Sequence, residues 1–388
     1  MRSTHYFNLM LVSIVILICN NLLLGIGYFK PEVEYSFFRG LTPAVYLIFF
    51  LCIFRKCKIF STKRNNYFLL VISILSAFNL SSGRNVDMKM MMAGFVSPIL
   101  IYQFFNSYKY DIYILRAKKF LIAFYIIECS LAIFERLIGT NIFVNVNAGY
   151  DGFRSYSLIG HPLQNALCVS IMMSFILFSD LKYKLELFFL GMVAILCFNT
   201  RSTMVFWGVA SIIYMFYLIF THNKQYKKFA WYVIFAGIVL TYLMIRYDFG
   251  SRLLEMGLYD ESSASVRIRI FEIFNFYSLS DFILGMPSYQ IEKILYRAGI
   301  DELIIENYWL MFILRFGIIF TIALFICMLS FLMKMLEDRP SFERWFIILS
   351  FLLISSTNNS MSIPNNGILS CFVLCYFSFL TIKIKSYK

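Results

Sequence analysis

The sequence predicts an all-α integral membrane protein with about twelve transmembrane helices. Of its 388 residues, 60% are hydrophobic and only 15% are charged, and the mean hydropathy is +0.73. A soluble domain is usually about 45–50% apolar and about one quarter charged, so this composition is typical of a membrane protein. The apolar residues occur in long runs that short polar connections separate, which predicts a single polytopic domain over residues 1–388.

A membrane helix needs about 20 apolar residues, somewhat fewer when it is buried among other helices. The first apolar run lacks a small-residue cleavage site, which predicts a retained span rather than a signal peptide. The weakest predictions are the short spans 41–54, 185–199 and 344–357. The hairpin over 185–220 also requires a very tight turn. The predicted spans lie near 6–28, 41–54, 66–80, 88–105, 118–137, 163–179, 185–199, 202–220, 229–246, 304–333, 344–357 and 366–383.

Positive charge predicts the orientation of the spans. The formal net charge is +13, and most of the excess lies in short connections between apolar runs. Because such loops face the cytoplasm, this bias places both termini there. The chain has neither a Gly-rich phosphate loop nor a basic-aromatic sheet motif, so nucleic acid is not a predicted partner. The clusters are Arg55, Lys56, Lys58, Lys63 and Arg64; Lys109, Arg116, Lys118 and Lys119; Lys224, Lys227 and Lys228; and Lys383, Lys385 and Lys388.

The opposite side of the membrane carries a long loop over residues 247–303. Within it, apolar residues recur at i, i+4, i+7, i+8 and i+11, which predicts an amphipathic helix on the membrane surface. They are Val266, Ile270, Ile273, Phe274 and Tyr277. The same side is predicted to carry the 29–40 connection, the 138–162 loop and the turn before Arg201.

Three predicted spans begin on that side with polar residues. One follows Gly160-His161-Pro162, one follows Asn199-Thr200-Arg201, and one begins at Glu306-Asn307. Pro is favoured at the first position of a helix, and Asn and Thr are good N-cap residues. Free N–H groups at a helix start, combined with arginine forks, bind phosphate or diphosphate well. Nearby arginines at 154, 267 and 269 could complete such a site.

Several of these residues also have a structural interpretation. Arg154 could be an ordinary loop residue, Arg201 could extend to lipid headgroups, and His161 could cap a helix. Residues 267 and 269 lie on different sides of a helix, so at most one is expected to reach a shared site. Glu306 would be stabilised by a helix dipole in any case. Glu128 lies within an apolar span, where a carboxylate is costly, so it is predicted to be functional or tightly paired.

Metal chemistry is not predicted. The nine cysteines contain no CxxC pair, and only three histidines are present. Asp281 and Asp301 are isolated in the long loop, and neither a DxD pair nor a two-carboxylate glycosidase arrangement can be placed. Arginines can neutralise a diphosphate leaving group without a metal, so no cofactor is expected.

Four short patterns between residues 150 and 320 resemble the family of O-antigen polymerases and O-antigen ligases, membrane glycosyltransferases of bacterial polysaccharide assembly. The rest of the chain resembles that family only as generic membrane helices. The patterns are Arg154 followed by Gly160-His161-Pro162 and Asn165-Ala166; Thr200-Arg201-Ser202; Arg267 followed by Phe271 and Leu284-Gly285; and Glu306-Asn307 followed by Arg315-Phe316-Gly317.

The resemblance implies a GT-C-type helical fold in the bacterial inner membrane, with a periplasmic active site. The donor would be an undecaprenyl diphosphate-linked oligosaccharide, and a chain-length regulator protein would be a possible partner. Arg154, Arg201 and Arg267 would hold the diphosphate, with His161, Arg269 and Asn307 also binding substrate. Catalysis would involve Arg201, Arg267 and Glu306, and the resemblance leaves open whether Glu306 is the base or a binding residue. Ligases typically carry His-Asn where this chain has Glu306-Asn307, a departure that favours a polymerase.

Other functions remain open at this point. A ligase that transfers glycan to lipid A core is the nearest alternative within the family. A lipid-linked oligosaccharide flippase would also have about a dozen spans, but transporters usually show repeated halves and ionisable groups near the midplane. The chain shows no clear repeat, and its charges gather near one surface. A membrane scaffold would be insensitive to single arginine substitutions.

Overall fold

A computed structural model describes most of the chain, and the described residues form helices joined by turns and loops. We number the α-helices in chain order. The described residues are 2–28, 41–57, 63–81, 85–107, 111–143, 153–221, 226–247, 249–250, 270–299, 305 and 307–379. The helices are α1 (Arg2–Ile18), α2 (Asn20–Gly25), α3 (Pro43–Phe54), α4 (Lys63–Ser81), α5 (Asn85–Met91), α6 (Ser97–Ser107), α7 (Asp111–Ile138), α8 (Pro162–Leu177), α9 (Lys184–Phe198), α10 (Arg201–Phe220), α11 (Tyr226–Tyr247), α12 (Leu279–Leu284), α13 (Ser288–Arg297), α14 (Tyr308–Met335), α15 (Ser341–Ser356) and α16 (Ile368–Phe379).

Four helical segments in the described residues are long and apolar enough to cross a membrane. They are Asp87–Ser107, Arg201–Phe220, Lys227–Tyr247 and Tyr308–Met335. Other apolar helices, such as α3 and α8, are shorter. These lengths and compositions are those of a membrane protein, while the count of twelve spans stays a prediction.

The first predicted span, over 6–28, is corrected by the structure. Helix α1 ends at Ile18, the backbone leaves helical geometry at Cys19, and α2 begins at Asn20. The Asn20 N–H donates to the carbonyl of Ile159 at 3.1 Å. Asn20 and Asn21 directly follow the break, and these two polar residues within the apolar run were the available signal.

The chain divides into two compact units. Unit 1 comprises Met1–Ile18, Phe29–Lys109 and Tyr259–Val373, and unit 2 comprises Cys19–Tyr28, Tyr110–Leu258 and Leu374–Lys388. In unit 1, α4 packs on α14, with the rings of Phe68 and Phe331 5.8 Å apart. In unit 2, α8 is buried along nearly its whole length and packs against α9.

Two irregular helices shape unit 1. Residues Met92–Val96 form one π-helical turn between α5 and α6, and α14 is kinked at Gly317. Both departures occur within long apolar segments, where a change in the helical hydrogen-bond pattern often accompanies a functional or packing constraint.

The predicted surface helix differs from the observed structure where it is described. Residues Ile270–Phe276 form a 3-10 helix, while Val266 lies outside the described residues. Ile270 and Ile273 are buried in an apolar cluster with residues of α13 and α14, including Ile294 and Leu310. These two side chains therefore contact protein rather than lipid headgroups.

Candidate functional site

The loop over residues 153–161 of unit 2 is held by two fully buried carboxylates of α7. Glu135 Oε2 accepts hydrogen bonds from the N–H groups of Tyr156 and Ser157 at 2.9 and 2.8 Å. Glu128 Oε2 accepts from the N–H of Leu158 at 3.2 Å. These hydrogen bonds satisfy backbone N–H groups that the loop cannot pair within itself. Glu128, predicted to be functional or tightly paired, thus binds loop backbone.

Two serines of this loop return hydrogen bonds to α7. Ser155 Oγ donates to the carbonyl of Ala132 at 2.7 Å, and Ser157 Oγ donates to the carbonyl of Glu128 at 3.0 Å. Residues 128, 132 and 135 are spaced by four and three, so they lie on one face of α7. The loop therefore binds along a single face of α7.

Helix α2 fixes the loop from another direction. Asn21 Nδ2 donates to the carbonyl of Ser157 at 2.6 Å. Gly160 has φ +129°, and a Cβ at this position would lie 3.2 Å from the backbone nitrogen of Asn21. The position therefore favours glycine twice, by its backbone conformation and by the close approach of α2.

The same loop ends in the predicted start of α8, which is confirmed at Pro162. His161 is the N-cap residue, and its Nδ1 accepts from the N–H of Leu163 at 3.3 Å. Asn165 Nδ2 donates to the carbonyl of Tyr156 at 2.7 Å. Burial raises the pKa of the Tyr156 phenol, whose ring meets that of His161 edge to face. His161 thus has a capping role, and its binding of substrate stays a prediction.

The start of α10 lies beside this loop. Helix α10 begins at Arg201, one residue before the predicted span, after Thr200 as N-cap and Asn199 in the left-handed conformation. The N–H of Ser155 donates to the carbonyl of Cys197 at 3.1 Å. This bond joins the residue after Arg154 to the end of α9, four residues before Arg201. Arg154 and Arg201, both half-buried, therefore belong to the same end of unit 2.

A further arginine at this end was not singled out from the sequence. Arg136 Nη1 donates to the carbonyl of Phe153 at 2.8 Å, and Nη2 donates to that of Tyr247 at 3.3 Å. Its guanidinium also lies 5.8 Å from the ring centre of Phe153 and 5.6 Å from that of Phe249. Its position in the last turn of α7 was the available signal, since basic residues stabilise helix C-termini. Arg136 joins the ends of α7 and α11 to the loop.

The remaining predicted site residues are distributed differently. Arg267, Arg269 and Glu306 lie outside the described residues, as does Asp301. Asn307, in unit 1, is the N-cap of α14: its Oδ1 accepts from the N–H groups of Trp309 and Leu310 at 3.0 and 3.2 Å. Asp281 belongs to a capping box with Ser278 at the start of α12.

Two of the family-like patterns meet in unit 1. The N–H of Met286 donates to the carbonyl of Leu314 at 2.8 Å. A Cβ on Gly285 would collide with the carbonyl of Arg315, and one on Gly317 would collide with the carbonyl of Ile283. Leu284-Gly285 and Arg315-Phe316-Gly317 thus form one backbone-to-backbone contact, which also accounts for the kink of α14.

A buried ion pair in unit 1 was also missed. Arg315 Nη1 lies 3.4 Å from Asp87 Oδ1 and donates to the carbonyl of Ser362 at 3.0 Å. Lys89, on the same helix as Asp87, is buried as well. Arg315 in the middle of an apolar run was the available signal, because ionisable groups in such runs are costly and often functional.

Comparison with known proteins identifies no relative: no protein-family model, curated protein or solved structure matches the chain. The resemblance to O-antigen polymerases and ligases therefore stays a prediction. Among the described residues, no group of three His, Cys, Asp or Glu side chains is arranged to hold a metal ion.

Proposed function

We propose that this protein is a surface-polysaccharide polymerase of the bacterial inner membrane, with about twelve spans in a GT-C-type architecture. It would join undecaprenyl diphosphate-linked repeat units at the periplasmic face. The observation that carries the proposal is the hydrogen bond between Ser155 and Cys197, because it links the segments that bear Arg154 and Arg201. Two predicted diphosphate-binding arginines on separate helical connections thereby share one end of unit 2.

The rigidity of this end supports a binding role. Two buried carboxylates and Asn21 fix the backbone of the 153–161 loop, so that Arg154 projects from an ordered segment. A site whose binding groups are held before the ligand arrives spends less of its interaction energy on ordering them. A guanidinium is suited to this purpose, because its planar fork can donate two hydrogen bonds to one phosphate.

In the proposed reaction, a hydroxyl of the acceptor sugar attacks the anomeric carbon of the donor. The bond from that carbon to the diphosphate oxygen breaks, and undecaprenyl diphosphate leaves with the bonding electrons. Arg154, Arg201 and Arg267 offset the charge that develops on the diphosphate, and Glu306 takes the hydroxyl proton. Direct displacement inverts the configuration of the anomeric centre, and the reaction requires no metal.

The test is the lengthening of a defined lipid-linked repeat unit by purified protein, with variants compared at equal amounts. Arg201→Ala and Arg154→Ala should each abolish lengthening, and the corresponding Lys variants should restore only part of it. Lys334→Ala, which alters an exposed residue of α14 in unit 1, is the matched control. Full lengthening by Arg201→Ala would remove the basis of the proposal.

A deletion strain distinguishes the proposed function from its alternatives. A lipid A core capped with a single repeat indicates a lost polymerase. Uncapped core together with lipid-linked polymer indicates a lost ligase, and repeat units retained on the cytoplasmic side indicate a lost flippase. Normal lipopolysaccharide in this strain, combined with an inactive purified protein, would exclude all three functions.

A further inference from the structure

An apolar groove in unit 2 lies between α9, α10 and α11. Its volume is about 210 Å³, below the usual range of about 300–1,000 Å³ for small-molecule sites. Two glycines open it: a Cβ added to Gly208 or Gly237 would meet nothing within 4 Å among the described residues. Rings of Phe188 and Phe229 line one end.

The few polar groups of the groove bond elsewhere. Ser211 Oγ donates to the carbonyl of Trp207 in its own helix at 2.7 Å. The hydroxyl of Tyr232 donates to Glu186 Oε1 at 2.8 Å, outside the groove lining. The groove therefore offers a surface suited to a hydrocarbon chain rather than to a sugar or a nucleotide.

Helix α11 is exposed enough for a hydrocarbon chain in the groove to contact the surrounding membrane as well. The helix is long enough to span a bilayer, yet only 6% of its most apolar stretch is buried against the described residues. In lipid, a groove between helices fills with acyl chain, because an empty one would lose dispersion contacts on every wall.

One rim of the groove is basic. Lys228 lies 3.8 Å from Glu186 Oε1 and 5.6 Å from the ring centre of Tyr232, which lines the groove. Lys227 precedes it, and Lys182 and Lys184 flank the start of α9 in sequence. These four lysines outnumber the two acidic residues of the same region, Asp180 and Glu186, so positive charge is in excess beside the apolar walls of the groove. A phosphate above the rim would complement that charge while its acyl chain occupied the groove.

We propose that the groove between α9, α10 and α11 binds one anionic phospholipid, with an acyl chain beside Gly208 and Gly237 and the phosphate at Lys227 and Lys228. The site is separate from the end of unit 2 that carries Arg154 and Arg201. It does not depend on the proposed polymerase function. The rim lies at the end of α11 that the charge bias predicts to face the cytoplasm, so a cytoplasmic-leaflet lipid is the expected occupant.

The test is native mass spectrometry of the full-length protein in detergent, titrated with phosphatidylglycerol and separately with phosphatidylcholine. We expect one phosphatidylglycerol to bind before others and to bind more tightly than phosphatidylcholine. Removing both charges in a Lys227→Ala/Lys228→Ala variant should weaken this first event by about thirtyfold, since each lysine near an anionic headgroup contributes roughly 1 kcal/mol. Lys118→Ala/Lys119→Ala, in the basic N-terminal part of α7, is the charge-matched control and should bind as wild type.

The second part of the experiment fills the groove with larger side chains. Gly208→Leu and Gly237→Leu should abolish the first binding event, because the new side chains extend into the space of the acyl chain from Cβ positions that meet no described protein atom within 4 Å. Val209→Leu adds bulk on an exposed position outside the groove lining and should change nothing. Equal affinity for both lipids, or unchanged binding in the glycine and lysine variants, would overturn the proposal. A dimer that Gly208→Leu disrupts, or a polyprenyl phosphate that displaces phosphatidylglycerol, would assign the groove to another occupant.

Discussion

Asp87 and Arg315 form a buried ion pair in unit 1, with Oδ1 and Nη1 3.4 Å apart and side chains 1% and 12% exposed. The pair joins α5, which precedes the π-helical turn, to the segment of α14 that precedes its kink. The Arg315 guanidinium also binds the carbonyl of Ser362, so three segments of the chain converge on one charged group. Removing either side chain takes an opposite charge away from a buried ionisable group, which is strongly destabilising.

We therefore expect Asp87→Asn or Arg315→Met to lower the free energy of unfolding by about 3–5 kcal/mol. The double variant should recover part of this loss, because the two opposite charges are then removed together. The measurement is thermal unfolding of the purified proteins in detergent. The exposed pair of Lys334 with Glu337 is the control, and its loss should cost no more than about 1 kcal/mol. Additive single effects would show that the pair does not act as a unit.

Gly285 and Gly317 make a second prediction. Both have positive φ, +72° and +79°, and each faces backbone atoms of the other segment. Gly285→Ala or Gly317→Ala should destabilise the protein by more than about 2 kcal/mol, because a backbone collision cannot be relieved by side-chain movement. Gly237→Ala, in open space within α11, should instead be neutral or stabilise by about 0.5–1 kcal/mol. The measurements are protein yield and apparent Tm. Equal values for the three variants would contradict the backbone contact between the Gly285 and Gly317 segments.

The third prediction concerns Glu135, whose two carboxylate oxygens accept three backbone hydrogen bonds, from Ile142, Tyr156 and Ser157. Glu135→Gln keeps the shape but turns an amide N–H₂ toward an N–H donor. We therefore expect Gln to be nearly as damaging as Ala, each costing about 2–3 kcal/mol. Thermal unfolding measures the cost, and Glu337→Gln at an exposed position is the control. A stable Gln variant would mean that the loop is held chiefly by its serines and by Asn21.

Asn307 offers a way to separate a cap from a ligand-binding group. If its role is to cap α14, Asn307→Asp and Asn307→Ser should retain stability and polymer length, whereas Asn307→Ala should cost about 1 kcal/mol. If the amide also binds glycan, Asp and Ser should remain stable while polymer length falls. Thermal unfolding and lipopolysaccharide gels on the same three variants distinguish these outcomes.

The fifth prediction follows from the C-terminus of α3. Lys56 has φ +50° there, and the Cys57 N–H donates to the Cys52 carbonyl at 3.0 Å. Both features are typical of a helix C-cap. A hydrogen bond from the Cys52 thiol lowers the pKa of Cys57 to about 7, with smaller contributions from Ser107 and Arg55. The thiolate is the reactive form, so alkylation of Cys57 should slow about tenfold per pH unit below pH 7 and level off above it.

Peptide mapping after timed iodoacetamide treatment gives the rate at Cys57 alone. Cys52→Ala should move the midpoint upward toward the ordinary thiol value of about 8.5. Cys168, fully buried in α8, should remain unmodified under the same conditions and serves as the internal control. An identical pH profile in the Cys52→Ala protein would show that the neighbouring thiol has no part in the shift.

Local sequence patterns were sufficient for many helix positions. The starts of α8 and α10 were predicted from Pro162 and from Thr200-Arg201, because capping depends on residues adjacent in sequence. The interruption at Cys19 and the 3-10 geometry after Ile270 were not predicted, because each depends on contacts with distant segments. His161 and Asn307 were placed at helix starts by the sequence, but only atomic positions gave them capping hydrogen bonds.

By itself, the sequence determined that the chain is apolar, helical and suited to a membrane, since hydropathy and periodicity are sums over neighbouring residues. The tertiary structure decided which polar groups meet: Glu135 with Tyr156 and Ser157, and Asp87 with Arg315. A buried charge is stable only beside a partner, and the partner can lie anywhere along the chain. The identity of that partner is therefore fixed by packing rather than by any local pattern.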